Sequence, residues 1–309
     1  MPRVTVLVAA YNNGKYIEEL LRSLLAQTHR DMDIIVRDDG SSDDTLEIVK
    51  RLSENDSRIS LLDSGGRGEP GVKTNFFTLL LNSDGDYTMF CDADDVWYPA
   101  KVEKTLKLMR SIEGKRANAP VLVHTDLAVA DESLNIVGES LFKYEKLSPH
   151  RKGFKELLVQ NNVTGCTVMI NRPLKNLVAE IPEGAVMHDW WLALIASAFG
   201  EIGVLEEATL LYRQHGGNQI GAYKANSLNT LLSKAANVRP LREIYGAMYR
   251  QAGCFAETFR EQLSDQQYRI AALYAEMASL SRPGKILRIL RRGYFKNTFA
   301  RNIGQFFAA

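Results

Sequence analysis

The sequence predicts an α/β protein: a mixed, mostly parallel sheet flanked by helices, followed by a C-terminal region built of helices alone. Three observations carry this expectation. Over roughly the first 115 residues, short apolar runs alternate with segments of helical period, the pattern of strand–helix–strand crossovers. Three polar clusters, "AAYNN", "RDDGSSDD" and "CDADD", each follow directly on an apolar run, where an open parallel sheet has its ligand crevice. From about Ser227 onward the text reads as helix without an intervening strand.

The elements follow in order. Val4–Ala10 is apolar and rich in valine, a first strand; it is too short, and too soon interrupted by Tyr-Asn-Asn-Gly, to be the core of a signal peptide. Ile17, Leu20, Leu21, Leu24 and Leu25 then recur at helical spacing. Asp33–Arg37 is a second strand, and "SSDDTLEIVKRL" opens a helix with Ser42 as candidate cap and acidic residues in the first turn, which suits the helix dipole. Ile59–Leu62 is a third strand, Val72–Leu81 a helix and Tyr87–Cys91 a fourth strand. Pro99–Arg110 is a helix with proline at its first position. Beyond residue 115 the alternation loosens: Pro120–Val129 reads as a strand, Gly153–Val159 as a helix and Val163–Ile170 as a strand. "HDWWLALIASAF" (188–199) is a buried helix and Ile202–Tyr212 a strand. This divides the chain into a domain over 1–225 and a helical region over 226–309.

Composition narrows the function. The 309 residues are 45% hydrophobic and 24% charged, ordinary for a soluble globular protein. The net charge of +1 gives no reason to expect a nucleic-acid partner. The charge is unevenly spread: residues 281–309 hold seven basic side chains (Arg282, Lys285, Arg288, Arg291, Arg292, Lys296, Arg301) and no acidic one, which leaves the rest of the chain at −6. Such a tail, mixed with Ile286, Leu287, Leu290, Phe295 and Phe299, reads either as a helix packed on the main domain or as a peripheral anchor on an anionic membrane face. The three cysteines, at 91, 166 and 254, are odd in number and far apart, which argues against a disulfide framework and fits a reducing compartment. No apolar run approaches the ~20 residues that span a bilayer, so a cytoplasmic protein is expected, with membrane contact at most at the inner surface.

The chemistry concentrates in "CDADD". Asp92, Asp94 and Asp95 crowd into four positions at the end of an apolar strand, where mutual repulsion and desolvation both oppose ionisation. Asp38 and Asp39 end another strand of the same kind. A divalent cation would relieve the repulsion and recruit a diphosphate, because hard cations bind carboxylate and phosphate oxygens together. The alternative is a turn and helix cap, for which aspartate is equally suited.

The ordered set "AAYN…VRDDGSSDDT…DADD" resembles family-2 glycosyltransferases of the GT-A nucleotide-sugar-binding fold, over roughly residues 3–220. The resemblance implies that Ala9, Tyr11 and Asp39 contact the nucleotide base, that Asp92 lies near the ribose, and that Asn75 lies near the donor. Asp94 would ligate Mg²⁺ or Mn²⁺ bridging the diphosphate, with His215 of "YRQHGGN" completing the metal site. "HDWW" stands where the family has an "ED" pair opening a helix, so Asp189 would be the catalytic base; His188 replaces the glutamate. "NNVTGC" (161–166) matches a segment lining the acceptor side. "RDDGSSDDT", "DADDVW" and "HDWWLALIAS…LYRQHGGNQIGA" together are similar to bacterial rhamnosyltransferases of cell-wall and O-antigen assembly. They imply an inverting transfer of a sugar from a nucleoside-diphosphate donor, dTDP-L-rhamnose or a UDP-hexose, to a glycan or lipid-linked glycan.

Three rival readings stand beside this one. "GRGEPG" (66–71) fits G-x-G-x-x-G, the dinucleotide-binding pattern of an NAD-dependent oxidoreductase, but it follows the third strand rather than the first, and Pro70 stiffens the turn. A binding protein with an inactive fold would be expected to lose carboxylates that this sequence keeps. A nucleotidyltransferase would have no need of a base such as Asp189.

Overall fold

The computed structural model describes residues 2–62, 71–216 and 238–308; residues 66–70 of "GRGEPG" and the segment after Gly216 in "YRQHGGNQIGA" lie outside them. The chain divides into two compact units. One comprises residues 2–62, 71–141, 163–181 and 200–216; the other comprises 142–162, 182–199 and 238–308.

The first unit is a mixed sheet of nine strands among the described residues. They are β1 (Val4–Ala10), β2 (Met32–Asp38), β3 (Ile59–Leu61), β4 (Tyr87–Asp92), β5 (Val96–Trp97), β6 (Val121–Ala130), β7 (Ile136–Gly138), β8 (Val168–Asn171) and β9 (Glu201–Arg213), in the order β3-β2-β1-β4-β8-β6-β9-β5 with β7 on β6. β1 is parallel to both β2 and β4, and β2 to β3. β8 runs antiparallel between β4 and β6. All ten residues of β6 are buried, as expected of a strand covered on both faces. Register fixes the functional edge: Ala10 of β1 pairs with Asp38, and Ala9 with Asp92. The polar ends of β1, β2 and β4 therefore meet side by side, as the sequence pattern predicts.

Helices α1 (Ile17–Leu25), α2 (Thr45–Asn55), α3 (Val72–Leu81) and α4 (Lys101–Glu113) connect these strands. α1 buries Ile17, Leu20, Leu21 and Leu24, the stripe its period predicts. Two helix starts differ from expectation. α2 begins at Thr45 with Asp44 at the N-cap position; the Ser42 N–H instead donates to Asn12 Oδ1 at 2.8 Å, so Ser42 belongs to the loop after β2 and ties it to the loop after β1. α4 begins at Lys101, two residues after Pro99, because the Tyr98 N–H donates to Thr209 of β9 at 2.9 Å and the Pro99 carbonyl accepts from Thr28 at 2.8 Å. Val163–Ile170 is not one strand. A 3₁₀ turn at Gly165–Thr167, closed by Thr167 N–H to the Thr164 carbonyl at 2.9 Å, precedes β8.

The second unit is helical. A short α5 (Leu141–Tyr144) lies at the boundary and α7 (Arg172–Lys175) belongs to the first unit. The remainder is α6 (Phe154–Val159), α8 (His188–Phe199), α9 (Val238–Thr258), α10 (Asp265–Ala275), α11 (Arg282–Arg292) and α12 (Phe299–Ala308). Its core is aromatic: Trp191 of α8 meets Phe255 of α9 edge-on at 5.2 Å, and Phe255 also meets Phe154 at 5.5 Å and Phe259 at 4.8 Å. Such pairs are worth ~0.5–1.5 kcal/mol beyond area burial. α10 carries a complete capping box between Ser264 and Gln267.

Candidate active site

The loop after β1 and the loop after β2 are laced together by side chains. The Asn12 N–H donates to Ser41 Oγ at 2.8 Å and the Gly14 N–H to Asp43 Oδ2 at 2.9 Å. A Cβ at Gly14 would sit 1.8 Å from Asp44 Oδ1, so any other residue here would displace the Asp44 side chain. Gly40, at φ +89°, takes a turn that L side chains disfavour and lets Asp38 accept the N–H groups of Gly40 and Ser41. Asp39 is held by Arg37, 2.9 Å away and almost fully buried, while its other oxygen accepts the Gly71 N–H at 2.7 Å. Asn75 of α3 is buried and donates to the Arg37 carbonyl at 3.2 Å; its Oδ1 has no partner among the described residues. Ala9 is half-buried at the end of β1, and Tyr11 is exposed beside it, its N–H donating to Asn13 Oδ1.

On the next strand the aspartates separate in character. Asp94 Oδ2 lies 2.8 Å from His215 Nε2, joining residues 121 positions apart as the sequence reading requires. The His215 ring rests on Tyr16 with centroids 4.7 Å apart. Asp95 points inward and is fully buried, and neither oxygen finds a well-formed hydrogen bond. Burial first, then Asp94 and Asp92, push its carboxyl well above the usual carboxylate range; the Cys166 thiol and the Arg213 N–H oppose this only weakly. Asp92, Asp95 and Cys166 bring one ligand atom each within 4.8 Å of one another. The same field and burial push the Cys166 and Cys91 thiols up, so both stay protonated.

Arg213, Lys101 and Cys166 are parts of this site that sequence reasoning missed. The Arg213 guanidinium donates to the carbonyls of Asp94 (2.9 Å) and Glu132 (2.7 Å) and to Glu19 Oε2 (2.5 Å). It also lies over the Tyr16 ring at 4.8 Å. Lys101, 1% exposed, donates to Thr209 Oγ1 at 3.1 Å and lies over Trp97. Burial lowers its pKa to about 8 against the pull of Cys166, Cys91 and Asp95. Arg213 is legible in "YRQH" as a cation two residues before the histidine; Cys166 reaches the cluster only through the 3₁₀ turn, which no periodicity announces.

The donor set fits a divalent cation. Carboxylate and imidazole converge at Asp94 and His215, and two further carboxyl groups, Asp92 and Asp95, lie in the same segment. Oxygen with nitrogen ligation suits Mn²⁺ and tolerates Mg²⁺; the protonated Cys166 thiol makes a soft-metal site of the inner cluster unfavourable.

Asp189 belongs to the second unit. It sits in the first turn of α8, 8% exposed, with Oδ2 accepting from Asn161 Nδ2 at 3.1 Å and Oδ1 from the Trp190 N–H at 2.7 Å. Asn161 opens the "NNVTGC" segment. His188 is buried, and burial alone lowers its pKa to about 3, so it presents a neutral imidazole at physiological pH rather than the charge of a glutamate.

A sheet whose parallel strand ends gather carboxylates beside the Asp94–His215 pair is that of a GT-A nucleotide-sugar-binding fold. The family model described as Glycosyl transferase family 2 matches residues 5–177, and the chain belongs to that family. Its activity class is accordingly glycosyl transfer from a nucleotide-sugar donor. The dTDP-rhamnosyl transferase RfbG of Shigella flexneri is 28% identical over 233 residues, 70% of this chain and 74% of that protein. The putative teichuronic acid biosynthesis glycosyltransferase TuaG of Bacillus subtilis is 30% identical over 208 residues, 66% of this chain and 77% of that one. Among solved structures, S. aureus TarS in complex with UDP superposes with a TM-score of 0.52 at 18% identity, covering 91% of this chain and 73% of that one. The mannosyltransferase PcManGT from Pyrobaculum calidifontis, in complex with GDP-Man and Mn²⁺, gives 0.52 at 19%, covering 99% and 84%. These likenesses bear on the fold. The dinucleotide reading of "GRGEPG" gives way to the family assignment.

Proposed function

We propose that the protein is a metal-dependent, inverting glycosyltransferase that moves a hexosyl group, L-rhamnosyl from dTDP-L-rhamnose, to a hydroxyl of a lipid-linked glycan. The observation that carries this reading is the Asp94–His215 pair at 2.8 Å, at the strand edge where Ala9 and Asp92 stand in register. Tyr11, Ala9 and Asp39 would receive the base and Asp92 the ribose. The partnerless Asn75 Oδ1 leaves an acceptor for a donor-side N–H or O–H. Asp94 and His215 would hold Mg²⁺ or Mn²⁺, which when bound neutralises charge on the leaving diphosphate.

Asp189 would take the proton from the acceptor hydroxyl. The oxygen then attacks the anomeric carbon on the face opposite the diphosphate, forming the new C–O bond as the old one breaks, which inverts the centre. A positioned base of this kind supplies ~10²–10⁴-fold in rate. Asn161 holds one Asp189 oxygen and so orients the other carboxylate lone pairs.

Rhamnose as the sugar is supported by the likeness to RfbG, and a UDP-hexose is the second reading, supported by the UDP and UDP-GlcNAc complexes of TarS. A polysaccharide acceptor is supported by the likeness to TuaG. Among the described residues no helix is long and apolar enough to cross a membrane, so contact with a lipid-linked acceptor would be made at the bilayer surface. The test is a panel of nucleotide sugars with diphosphate release as readout. We expect release from dTDP-L-rhamnose, loss of activity in excess EDTA and recovery with Mg²⁺ or Mn²⁺. Full turnover in EDTA would remove the metal from the proposal, and release only from a UDP-hexose would select the second reading.

A further inference from the structure

The C-terminal helices carry a surface that the transfer reaction does not use. Of the seven basic residues in the tail, five are engaged within the unit. Arg288 pairs with Glu276 at 2.7 Å, and Arg301 donates to the Glu145 carbonyl at 2.9 Å. Lys285 lies over Tyr249 at 5.6 Å and Lys296 over Tyr245 at 4.5 Å. Arg282 reaches the Phe306 carbonyl at 3.3 Å and the Phe307 ring at 5.7 Å, which brings the start of α11 against the end of α12. Arg291 and Arg292 are exposed and have no ion pair among the described residues.

Two further features belong to the same unit as these cations. Leu287 and Leu290 of α11 are 47% and 55% exposed, and Phe299, Ile303 and Phe307, at i, i+4 and i+8 on one face of α12, are 82%, 39% and 63% exposed. Beside the C-terminal end of α11 is an open cavity of about 220 Å³ lined by Lys155, Gln266, Arg269, Arg292 and Tyr294 with an aliphatic floor and no carboxylate. Lys155 Nζ lies 3.4 Å from where a Cβ on Gly293 would stand, so its ammonium lies at this end of α11. Neither it nor Arg269 forms an ion pair among the described residues. Three like charges around one cavity without a counter-charge repel one another; a phosphate would remove that repulsion and match the guanidinium geometry.

We infer that this surface docks on an anionic bilayer. The Phe299–Ile303–Phe307 stripe and the α11 leucines enter the headgroup layer, and Lys155, Arg269 and Arg292 hold a lipid phosphate. Apolar insertion with basic flanks is the arrangement that binds anionic membranes reversibly. The inference deepens the proposed use of a lipid-linked acceptor, but binding is measured without donor or acceptor.

The experiment is co-sedimentation of the full chain with vesicles of phosphatidylcholine alone and of phosphatidylcholine with phosphatidylglycerol, with thermal unfolding as the check on folding. We expect sedimentation only with the anionic vesicles, reversed by high salt. Joint replacement Lys155→Gln, Arg269→Gln and Arg292→Gln should lower partitioning on the order of 100-fold. Phe299→Ser with Phe307→Ser should lower it about tenfold or more. Donor hydrolysis by either variant should match the unmodified chain, so failure of this inference leaves glycosyl transfer standing. Equal binding to neutral vesicles, or undiminished binding by the triple variant, overturns the inference. Stabilisation by inorganic phosphate without any vesicle binding would make the cavity a free-phosphate site and also overturn it. So would lipid-independent dimerisation that the phenylalanine substitutions abolish, which would assign the stripe to a second copy.

Discussion

The Arg213 guanidinium joins the Asp94 carbonyl, the Glu132 carbonyl and the Glu19 carboxylate, so it fixes the backbone that aims the Asp94 side chain at His215. A lysine keeps the charge but cannot span three acceptors from one nitrogen. Arg213→Lys is therefore expected to weaken metal-dependent donor binding tenfold or more and to cost ~2–3 kcal/mol of stability through lost charge-assisted bonds. Calorimetry and urea unfolding read the two effects, and wild-type values in both would show that Arg213 does not order the site. Asp94→Ala should abolish metal-dependent donor binding with the fold intact. Asp189→Asn tests the proposed base apart from the donor site. It keeps shape and one of the two bonds that the carboxylate accepts from Asn161 and the Trp190 N–H, so donor affinity should hold while turnover falls ~10²–10⁴-fold. A carboxylate that served only the helix dipole would cost ~0.3–1 kcal/mol of stability and leave turnover unchanged. The proximity of Asp94 and His215 was legible from sequence because motif order carried it. Asp95's inward turn was not, since "DADD" gives no sign of which aspartate faces the core.

At the scale of elements, the strands and helices that were legible are those with an unbroken period: β1, α3 and α8 have the bounds their patterns predict. β5 and β7 are two and three residues long, too short for alternation to register, and they exist only because β9 and β6 offer them a ladder. Val163–Ile170 misled because its β-branched residues satisfy strand propensity while Thr164 and Thr167 close a tighter turn. α8 has a testable property of its own. His188, at its first position, has a native pKa of about 3, against ~6.5 in the unfolded chain. Between those values the unfolded state binds the extra proton, so stability rises with pH: this contribution is complete above about pH 6.5 and is lost as pH falls toward 3. From pH 7 to pH 4 the loss should be ~3 kcal/mol. Urea unfolding at both values should show a shallower decline for His188→Gln; identical declines would mean that His188 does not titrate as its burial dictates.

The whole molecule does not divide where the sequence changes character. The helical unit draws residues 142–162 and 182–199 away from the strand-rich part of the chain and joins them to 238–308, because the apolar surface of α8 is covered by Phe255 and Phe259 of the later segment. A break at residue 225 removes those aromatics from Trp191, a loss comparable with the ~3–5 kcal/mol of emptying a large core site. A chain ending there should elute as aggregate and lose its near-ultraviolet tryptophan signal. A monodisperse product with native turnover would show that α8 needs no such cover.

That interleaving also sets an order in time. Trp191 leaves the ribosome about 60 residues ahead of Phe255 and Phe259, an interval of roughly 3–12 s at common rates of synthesis. Throughout it the helix bearing Asp189, apolar on every side, waits without its cover and offers a binding segment to chaperones. The strand-rich half can close around its own hydrophobic interior before the partner of α8 has been made.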